Sequence, residues 1–340
     1  MEKKLYPLKF VPVASRKPWG GSVLVNDLGK RFVECDKDGN ETVLGAGTLI
    51  GESWELADMG QEDSVVAEGW LAGNTISEVM ETYLERVVGE KVYNYYGRQF
   101  PLLIKFLDIQ NKLSVQVHPD DALAEERHNS FGKTEAWYIA DCKPGAAIYL
   151  GFKDLNITRE EYISAVSESR LEQLLNRVEV KKGDVFFIPA GTVHALGAGI
   201  EVVEVQQTSD VTYRIYDWDR VDASGKGREL HTALAVDAID FESDAELLHK
   251  QYTLAKGGES RVIECPYFTM TLHDVDAVKY LDRSMLDSFI VYICLEGNAT
   301  ISIDGGKEEL TAGELVLIPA EACEVAIEGN AQLMEVYISK

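Results

Sequence analysis

Gln116 and His118 lie two positions apart in the segment LSVQVHPDD, residues 113–121, and both side chains can bind a metal ion. The segment alternates apolar and polar residues, which predicts a β-strand, and a strand directs residues two positions apart to the same face. An amide oxygen and an imidazole nitrogen would therefore face one space. The pair is half of a possible metal site, and the other ligands must come from elsewhere in the chain.

A second group of candidate ligands follows from the segment GDVFFIPAGTVHAL, residues 183–196, which contains the pattern Pro-x-Gly-x-x-His ending at His194. This pattern resembles the second half of the cupin signature; cupins are small jelly-roll barrels that hold a metal inside with histidines and a glutamate. The first half is commonly His-x-His followed closely by a glutamate. Here Gln116 replaces the first histidine, and the next glutamate on a predicted strand is Glu135, 17 residues after His118.

The four candidate ligands combine two nitrogen and two oxygen donors, from Gln116, His118, Glu135 and His194. Such a mixed set suits a borderline divalent ion such as Zn²⁺. Only Glu135 carries a negative charge, so a bound ion keeps residual positive charge, which favours Lewis-acid action on the oxygens of a substrate. Each histidine alone could be an ordinary core residue. The joint pattern predicts one Zn²⁺ per chain.

The elements that must position these residues are mostly predicted strands. Short apolar or alternating segments punctuated by glycine dominate the chain, and helical spacing is confined to a few segments. Asn74 or Ser77 is the candidate N-cap of the first of these helices. Many short strands with few helices predict a β-sandwich or barrel with helices added. The helical segments are residues 75–93, 120–128, 158–178 and 231–240.

The chain also contains an internal repeat. Residues 180–196 resemble residues 310–327: both combine a predicted strand, a glycine followed by an acidic residue, an apolar run and the tripeptide Ile-Pro-Ala. Two related β-barrels explain this economically. Glu324 takes the position of His194 in the second copy, which has no Gln-x-His pair before it. The predicted fold is therefore mainly β, with two cupin-type jelly-roll barrels, added helices and a degenerate second barrel.

This repeat predicts two domains: a catalytic cupin domain with helical insertions, residues 1–240, and a C-terminal cupin-like β domain without a metal site, residues 241–340. The 340 residues suffice for both. A net charge of -24 argues against nucleic acid and anionic membranes as partners.

Localisation follows from what the composition lacks. The longest apolar run, FIVYICL at residues 289–295, is far shorter than the roughly 18 residues of a membrane span. The first 21 residues contain no apolar segment long enough for a signal peptide. The five cysteines are scattered without a Cys-x-x-Cys pair, which is typical of the reducing cytoplasm. A cytoplasmic protein is expected.

Several segments together resemble the type I mannose-6-phosphate isomerases, in their shorter bacterial form. Each is weak alone, but they span residues 17–220. The resemblance implies zinc bound by the four ligands named above and interconversion of mannose 6-phosphate and fructose 6-phosphate through a cis-enediol. It also implies a small-molecule sugar phosphate as the partner and a monomer or weak homodimer. The matching segments are KPWGG (17–21), GESWEL (51–56), PLLIKFLDIQNKLSVQVHP (101–119), GKTEAWYI (132–139), FFIPAGTVHAL (186–196) and EVQQTSDVTYRIYDW (204–218).

The resemblance adds further candidate site residues. The family motif Gln-x-Ser-Asp-x-x-x-Arg reads QTSDVTYR here, which implies a catalytic Arg214 and a substrate-binding Asp210. The common form has asparagine after the aspartate, and this chain has Val211. The departure touches neither of the two implied residues. The matching lysines are Lys133, implied as catalytic, and Lys105, implied as substrate-binding.

The chemistry of aldose–ketose isomerisation suits these residue types. A proton leaves C2 and is delivered to C1 while negative charge develops on the oxygens, which cations stabilise. Arg214 is permanently cationic and can grip the enediolate or the phosphate. Lys133 would face the metal if the strand of Glu135 has already begun there, and Lys105 could bind phosphate. The general base stays open between His118, Lys133 and a zinc-ordered water.

Two rival functions are a cupin metalloenzyme of another class, such as an iron dioxygenase, and a non-catalytic sugar-binding cupin. Redox iron sites favour histidine-rich or facial-triad ligation, and a ligand set containing Gln116 argues against them. The intact ligand set together with Arg214 argues against decay to a binding module. The isomerase is therefore the predicted function.

Overall fold

The computed structural model of the chain describes residues 3–35, 41–222 and 224–339. Most of its regular structure is β, in antiparallel pairs throughout the described sheets. The strands are β1 Phe10–Val11, β2 Val13–Ser15, β3 Val33–Cys35, β4 Glu41–Val43, β5 Glu52–Leu56, β6 Val65–Val66, β7 Leu102–Ile109, β8 Val115–Val117, β9 Glu135–Cys142, β10 Ala147–Phe152, β11 Leu175–Glu179, β12 Val185–Ile188, β13 His194–Leu196, β14 Ile200–Gln207, β15 Tyr213–Tyr216, β16 His249–Lys250, β17 Glu259–Glu264, β18 Thr269–Val275, β19 Lys279–Asp282, β20 Ile290–Ile303, β21 Gly306–Thr311, β22 Leu315–Ile318 and β23 Glu324–Tyr337.

The helices are short and lie between strands. None of those in the described part of the chain is long and apolar enough to span a membrane. The α-helices are α1 Val23–Asn26, α2 Ile76–Tyr83, α3 Glu85–Val88, α4 Glu90–Tyr96, α5 Asp121–His128, α6 Arg159–Ser167, α7 Leu171–Leu174, α8 Thr232–Ala238 and α9 Ala245–Leu248, with 3-10 turns at Gly60–Glu62 and Gly69–Leu71.

Two facing sheets form the part of the fold that carries the candidate site. One has five strands in the order β11-β10-β13-β8-β15, and the other has seven in the order β16-β12-β9-β14-β7-β5-β2. Their inward side chains form one apolar core, in which Trp137 and Ile139 of β9 pack with Ile148 and Leu150 of β10. Burying each large apolar side chain contributes about 1.5–3 kcal/mol, so alternation along each strand fixes which face turns inward.

The C-terminal sheet is separate from these two. It runs β17-β18-β23-β20-β21, with β19 added on β23 and β22 on β20. The strands β20 and β23 have 14 residues each and pair along most of their length. β22 pairs with the first part of β20 and β21 with the last part, so the sheet curls around its own apolar core.

The C-terminal sheet packs against the outward face of the seven-stranded sheet. Ala136 and Tyr138 of β9 lie in the same apolar cluster as Met270 of β18 and Met334 of β23. The Tyr138 hydroxyl also donates a hydrogen bond of 2.9 Å to Gln332 Oε1. The strand that carries Glu135 is therefore supported from behind by the C-terminal sheet.

The first predicted helix is broken into α2, α3 and α4. Its N-cap is Thr75, which forms a capping box with Glu78, so the expectation of Asn74 or Ser77 was wrong. The second break falls at Gly89, where φ is +92° and a Cβ would lie 2.4 Å from the Asp287 carbonyl oxygen. That close approach involves a distant segment, which helical spacing alone does not reveal.

Candidate metal centre

Register places three of the predicted site residues side by side on the five-stranded sheet. Gln116 of β8 pairs directly with His194 of β13 on one side and with Arg214 of β15 on the other. Residues paired across a sheet point to the same face. All three side chains therefore project from one face of the sheet. The His194 imidazole approaches Glu135 of the seven-stranded sheet, so this face is turned towards that sheet.

Glu135 comes from the seven-stranded sheet and meets the two histidines between the sheets. The ligand atoms of His118, Glu135 and His194 all lie within 4.8 Å of one another, and all three residues are buried. Glu135 Oε2 is 3.6 Å from His118 Nε2, and its Oε1 is 3.4 Å from His194 Nε2. The Gln116 amide lies 3.2 Å from His194 Nε2, so the structure brings together all four predicted ligands.

Each histidine is oriented by a backbone carbonyl. His118 Nδ1 lies 2.9 Å from the Val211 carbonyl oxygen and His194 Nδ1 2.9 Å from that of Thr192, so the ring proton of each belongs on Nδ1 as the donor. This leaves both Nε2 lone pairs directed at Glu135. Carbonyl anchoring of the far nitrogen is the usual arrangement behind metal-bound imidazoles.

The histidines are also held neutral. Burial lowers the pKa of His118 well below its ordinary value, and the charge of Lys133 lowers it further. Burial lowers the pKa of His194 to about 4, although its hydrogen bond with Thr192 opposes the shift. Neutral imidazoles keep the lone pair that a metal ion requires.

Glu135 supplies the negative charge of the centre. Burial raises its pKa to about 7, against the opposing effect of the Lys133 ammonium, which contacts Oε2. Its Oε1 is buried with no hydrogen-bond partner in the described structure. A buried carboxylate oxygen without a partner is costly, and a cation between it and two imidazole nitrogens would satisfy it. The donor set therefore fits a divalent metal ion.

Lys133 precedes β9 rather than lying within it, yet it turns towards the ligand cluster. Its Nζ contacts Glu135 and lies 3.3 Å from His118 Nε2, and its side chain is buried. The predicted shared side of Lys133 and Glu135 is therefore observed, although strand alternation is not its cause.

Lys105 lies on the inward face of the seven-stranded sheet, among groups that the sequence did not single out. Lys105 of β7 pairs with Glu204 of β14. Its Nζ lies 2.9 Å from Gln206 Oε1 and 3.3 Å from Glu204 Oε1. Burial alone would lower its pKa, but Glu204 and Glu52 outweigh burial and raise it. Lys105 is therefore a buried ammonium surrounded by oxygen acceptors.

Glu204 and Gln206 are the site residues that sequence reasoning missed. Gln206 pairs with Glu135 and Glu204 with Trp137, so both side chains line the same face as the candidate metal ligand. Glu204 Oε2 also accepts a hydrogen bond of 3.0 Å from Trp137 Nε1. The available signal was the segment IEVVEVQQ, in which the polar residues Glu204 and Gln206 take alternate positions of a largely buried strand.

Arg214 is half-buried beside a group of charged side chains. Its Nη1 donates to the Glu229 carbonyl oxygen at 3.0 Å, and its Nε is buried without a hydrogen-bond partner in the described residues. Arg220 and Arg228 both bind the carboxylate of Asp217. Burial lowers the pKa of Arg214, and the positive charge of Arg228 lowers it further.

Asp210 takes a different position from the other predicted residues. It is exposed and lines a cleft of about 560 Å³ with His128, Thr212 and Leu234, and none of the four candidate metal ligands lines that cleft. It precedes β15, so strand alternation does not relate it to Arg214. The structure brings the other predicted residues towards the space between the sheets but leaves Asp210 outside.

Comparison with known proteins assigns the chain to a family. The profile of the phosphomannose isomerase type I catalytic domain matches residues 8–158, and that of the mannose-6-phosphate isomerase cupin domain matches residues 258–338. The mannose-6-phosphate isomerase ManA of Bacillus subtilis is 36% identical over 330 residues, covering 96% of this chain and 97% of the relative. The chain belongs to the type I phosphomannose isomerase family.

Solved structures confirm the predicted fold of this family member. The crystal structure of the mannose 6-phosphate isomerase from Bacillus subtilis aligns with a TM-score of 0.84 at 31% identity, covering 98% of this chain and 100% of that one. A putative mannosephosphate isomerase from Archaeoglobus fulgidus aligns with a TM-score of 0.75 over 100% of both chains. At 21% identity, the second match supports the fold alone.

Proposed function

We propose that this phosphomannose isomerase family member interconverts mannose 6-phosphate and fructose 6-phosphate, with one zinc ion held by Gln116, His118, Glu135 and His194. The observation that carries the proposal is the convergence of two neutral imidazoles on the Glu135 carboxylate, His118 near Oε2 and His194 near Oε1, with Oε1 lacking a hydrogen-bond partner among the described residues. Family membership supplies the substrate, because the curated relatives carry the name mannose-6-phosphate isomerase.

Zinc is favoured by the donor set. Imidazole nitrogens with carboxylate and amide oxygens suit this borderline ion, and a single negative ligand leaves it electrophilic. Gln116 would bind the ion through Oε1 after a 180° rotation of its side-chain amide. This rotation exchanges the Oε1 and Nε2 positions, which are of nearly equal size. When bound, the ion would polarise the oxygens of the sugar as a Lewis acid.

Lys133 is the proposed proton carrier between C2 and C1 of the sugar, in a reaction that passes through a cis-enediol. Its ammonium lies beside the ligand atoms of Glu135 and His118 and is buried. His118 is the weaker candidate because its Nδ1 is engaged by the Val211 carbonyl and its Nε2 faces the ligand cluster. A buried lysine beside the reacting groups can serve acid–base chemistry.

The phosphate end of the substrate is proposed to lie near Arg214. In a chain of net charge -24, the three guanidinium groups of Arg214, Arg220 and Arg228 lie near two carboxylates, those of Asp217 and Glu229, which leaves a local excess of positive charge. A planar guanidinium binds phosphate oxygens through two parallel hydrogen bonds. This cluster suits a dianion better than Lys105 does.

Lys105 and Asp210 remain predicted substrate contacts. Lys105 is balanced by Glu204 and Gln206, so we propose that it holds sugar hydroxyls rather than the phosphate. Asp210 is exposed, so any contact with the substrate would occur at the rim of the site.

The division into residues 1–240 and 241–340, the latter without a metal, also belongs to this proposal. Glu324, which stands where the first copy has His194, is exposed. The proposal also includes a cytoplasmic location and a monomer or weak homodimer. Metal stoichiometry of the purified chain would test whether only the first domain binds metal, and sedimentation would test the oligomeric state.

The deciding experiment is a coupled assay of mannose 6-phosphate conversion before and after chelation, with add-back of single metals. We expect loss of activity on chelation and recovery with zinc, at one ion per chain. Absence of turnover in zinc-loaded protein would contradict the isomerase and favour a binding role. Oxygen consumption restored by iron would instead favour another cupin metalloenzyme.

A further inference from the structure

The segment between His118 and Glu135 carries a helix and a return loop, and its base is closed by a small network. Asp120 caps α5 by accepting from the Leu123 amide at 2.9 Å. The next residue, Asp121, binds elsewhere, because its Oδ1 accepts from the Gly132 amide at 2.8 Å and from Gln207 Nε2 at 2.9 Å. Asp121 thus joins both ends of the insert to the end of β14.

Gln207 continues the network to the start of β9. Its side-chain Oε1 accepts from the Thr134 amide at 2.8 Å, and its own backbone amide donates to the Thr134 carbonyl at 3.1 Å. Thr134 lies between Lys133 and Glu135, and both Gln207 and Thr134 are buried. One side chain therefore fixes the backbone that carries the candidate proton carrier and the charged metal ligand.

The close approach of residues 120–121 to residue 132 requires glycine at position 132. A Cβ there would lie 2.6 Å from the carbonyl carbon of Asp120 and from the amide nitrogen of Asp121. The Lys133 amide also donates to the Pro119 carbonyl at 3.1 Å. These contacts hold the residues just after His118 against the residues just before Glu135, although the two ligands are 17 positions apart.

The C-terminal sheet reaches this network through Tyr267, in the turn between β17 and β18. Burial raises the pKa of Tyr267, and the nearby Asp121 carboxylate raises it further. The carboxylate therefore lies within interaction distance of a residue from the C-terminal part of the chain.

We infer that Asp121 and Gln207 are positioning residues for the metal centre: they set the distance between His118 and the Lys133–Glu135 segment without touching substrate. This inference rests on the proposed function, because it assigns the purpose of the network to metal binding and turnover. Outer partners that orient metal ligands act in this way in other metalloproteins.

The test compares Asp121→Ala with two matched variants. Asp121→Asn keeps the oxygen acceptor, and Asp120→Ala removes the neighbouring carboxylate that only caps α5. In Asp121→Ala we expect zinc affinity, measured by chelator competition, to fall about 10- to 100-fold. We expect kcat to fall with little change in KM, because the residue positions the reacting groups rather than the substrate.

The controls separate positioning from simple loss of stability. Asp121→Asn should retain zinc affinity and kcat within about threefold of the unmodified protein, since outer-partner effects depend on the retained hydrogen bond. Asp120→Ala should weaken the helix cap without changing zinc affinity. Equal losses in Asp120→Ala and Asp121→Ala, or unchanged zinc affinity and kcat in Asp121→Ala, would overturn the inference.

Hydrogen exchange in metal-free protein tests the positioning role without relying on enzymatic activity. Exchange should accelerate at the Gly132 amide in Asp121→Ala and at the Thr134 amide in Gln207→Leu, but at neither amide in Asp120→Ala, because the lost bonds protect these two amides. Unmodified protein that binds no metal would contradict the proposed function. Unchanged exchange in both network variants would contradict the positioning role itself.

Discussion

Two buried glutamates differ in the partners of their carboxylate oxygens: Glu135 lies between the facing sheets, and Glu335 lies in the C-terminal sheet. Glu335 Oε1 accepts from the Tyr292 hydroxyl at 2.7 Å and from Arg283 at 2.5 Å, and its Oε2 lies 3.2 Å from His273 Nε2. Glu135 has one partnered oxygen and one buried oxygen with no hydrogen bond in the described structure.

The pKa values of the two carboxyls move in opposite directions because their partners differ. Burial raises the pKa of both carboxyls, but the hydrogen bond and charge of His273, with Arg283, outweigh burial and lower that of Glu335. At Glu135, burial dominates. A buried carboxylate whose partners lie within the chain is structural, whereas one that faces neutral imidazoles and lacks a partner marks a place for an external cation.

The largest expected effect comes from removing one imidazole of the metal centre. His194→Ala should lose zinc, and activity should fall by at least about 10³-fold, because the metal contributes several kcal/mol and about 1.4 kcal/mol is tenfold in rate. Metal analysis and the coupled assay measure both. His273→Ala is the matched control: it should keep the metal, and zinc loss there would erase the distinction between the two regions.

Arg214→Ala should separate substrate chemistry from metal binding. We expect zinc to be retained and turnover to fall about 10²- to 10³-fold, the usual cost of removing a group that stabilises developing negative charge. Steady-state kinetics with metal analysis of the same sample provides the measurement. Near-normal turnover would remove Arg214 from the proposed mechanism.

Glu335→Gln should affect stability and leave the centre intact. Losing the charge acceptor for Arg283 and His273 should lower the free energy of unfolding by about 2 kcal/mol, typical of hydrogen bonds to charged groups. Denaturant unfolding of the metal-free protein would measure it, with zinc affinity determined in parallel. A drop in zinc affinity without loss of stability would show that the C-terminal cluster serves the metal.

The smallest effect concerns Glu201, a glutamate with a raised pKa but no imidazoles nearby. Burial, with Asp141 and Asp108, raises its pKa to about 7 from an ordinary 4.5. The folded state therefore binds more protons between these values, so this residue lowers stability as pH rises through that window. Glu201→Gln should raise the melting temperature at pH values above about 7 and converge with the unmodified protein near pH 4.5.

An unchanged pH dependence in Glu201→Gln would contradict this assignment. Zinc affinity should not change in this variant. The Glu201→Gln variant thus tests whether a glutamate with a raised pKa, but without converging ligand atoms, contributes to zinc affinity.

Local sequence was sufficient to name the candidate ligands, because each lies at a position that a short pattern defines. Alternation put Gln116 beside His118, and the Pro-x-Gly-x-x-His pattern located His194. Helix α5 and the start of a helix at about Thr158 followed from local signals in the same way, but residues 175–178, also predicted as helix, belong to strand β11. Asp210 was implied by the family motif alone, and it precedes β15, so strand alternation does not direct its side chain to the face of Arg214.

The amino-acid sequence was enough to predict the donor types, their two-residue and motif spacings, the mainly β character and the family resemblance, since these depend on side-chain chemistry and strand periodicity. The tertiary structure was needed to show that Glu204 and Gln206 line the candidate centre and that the Val211 and Thr192 carbonyls orient the imidazoles. It also showed that one oxygen of Glu135 has no hydrogen-bond partner in the described part of the chain. These facts depend on register between strands distant in sequence, and register is set by the packing of the two sheets.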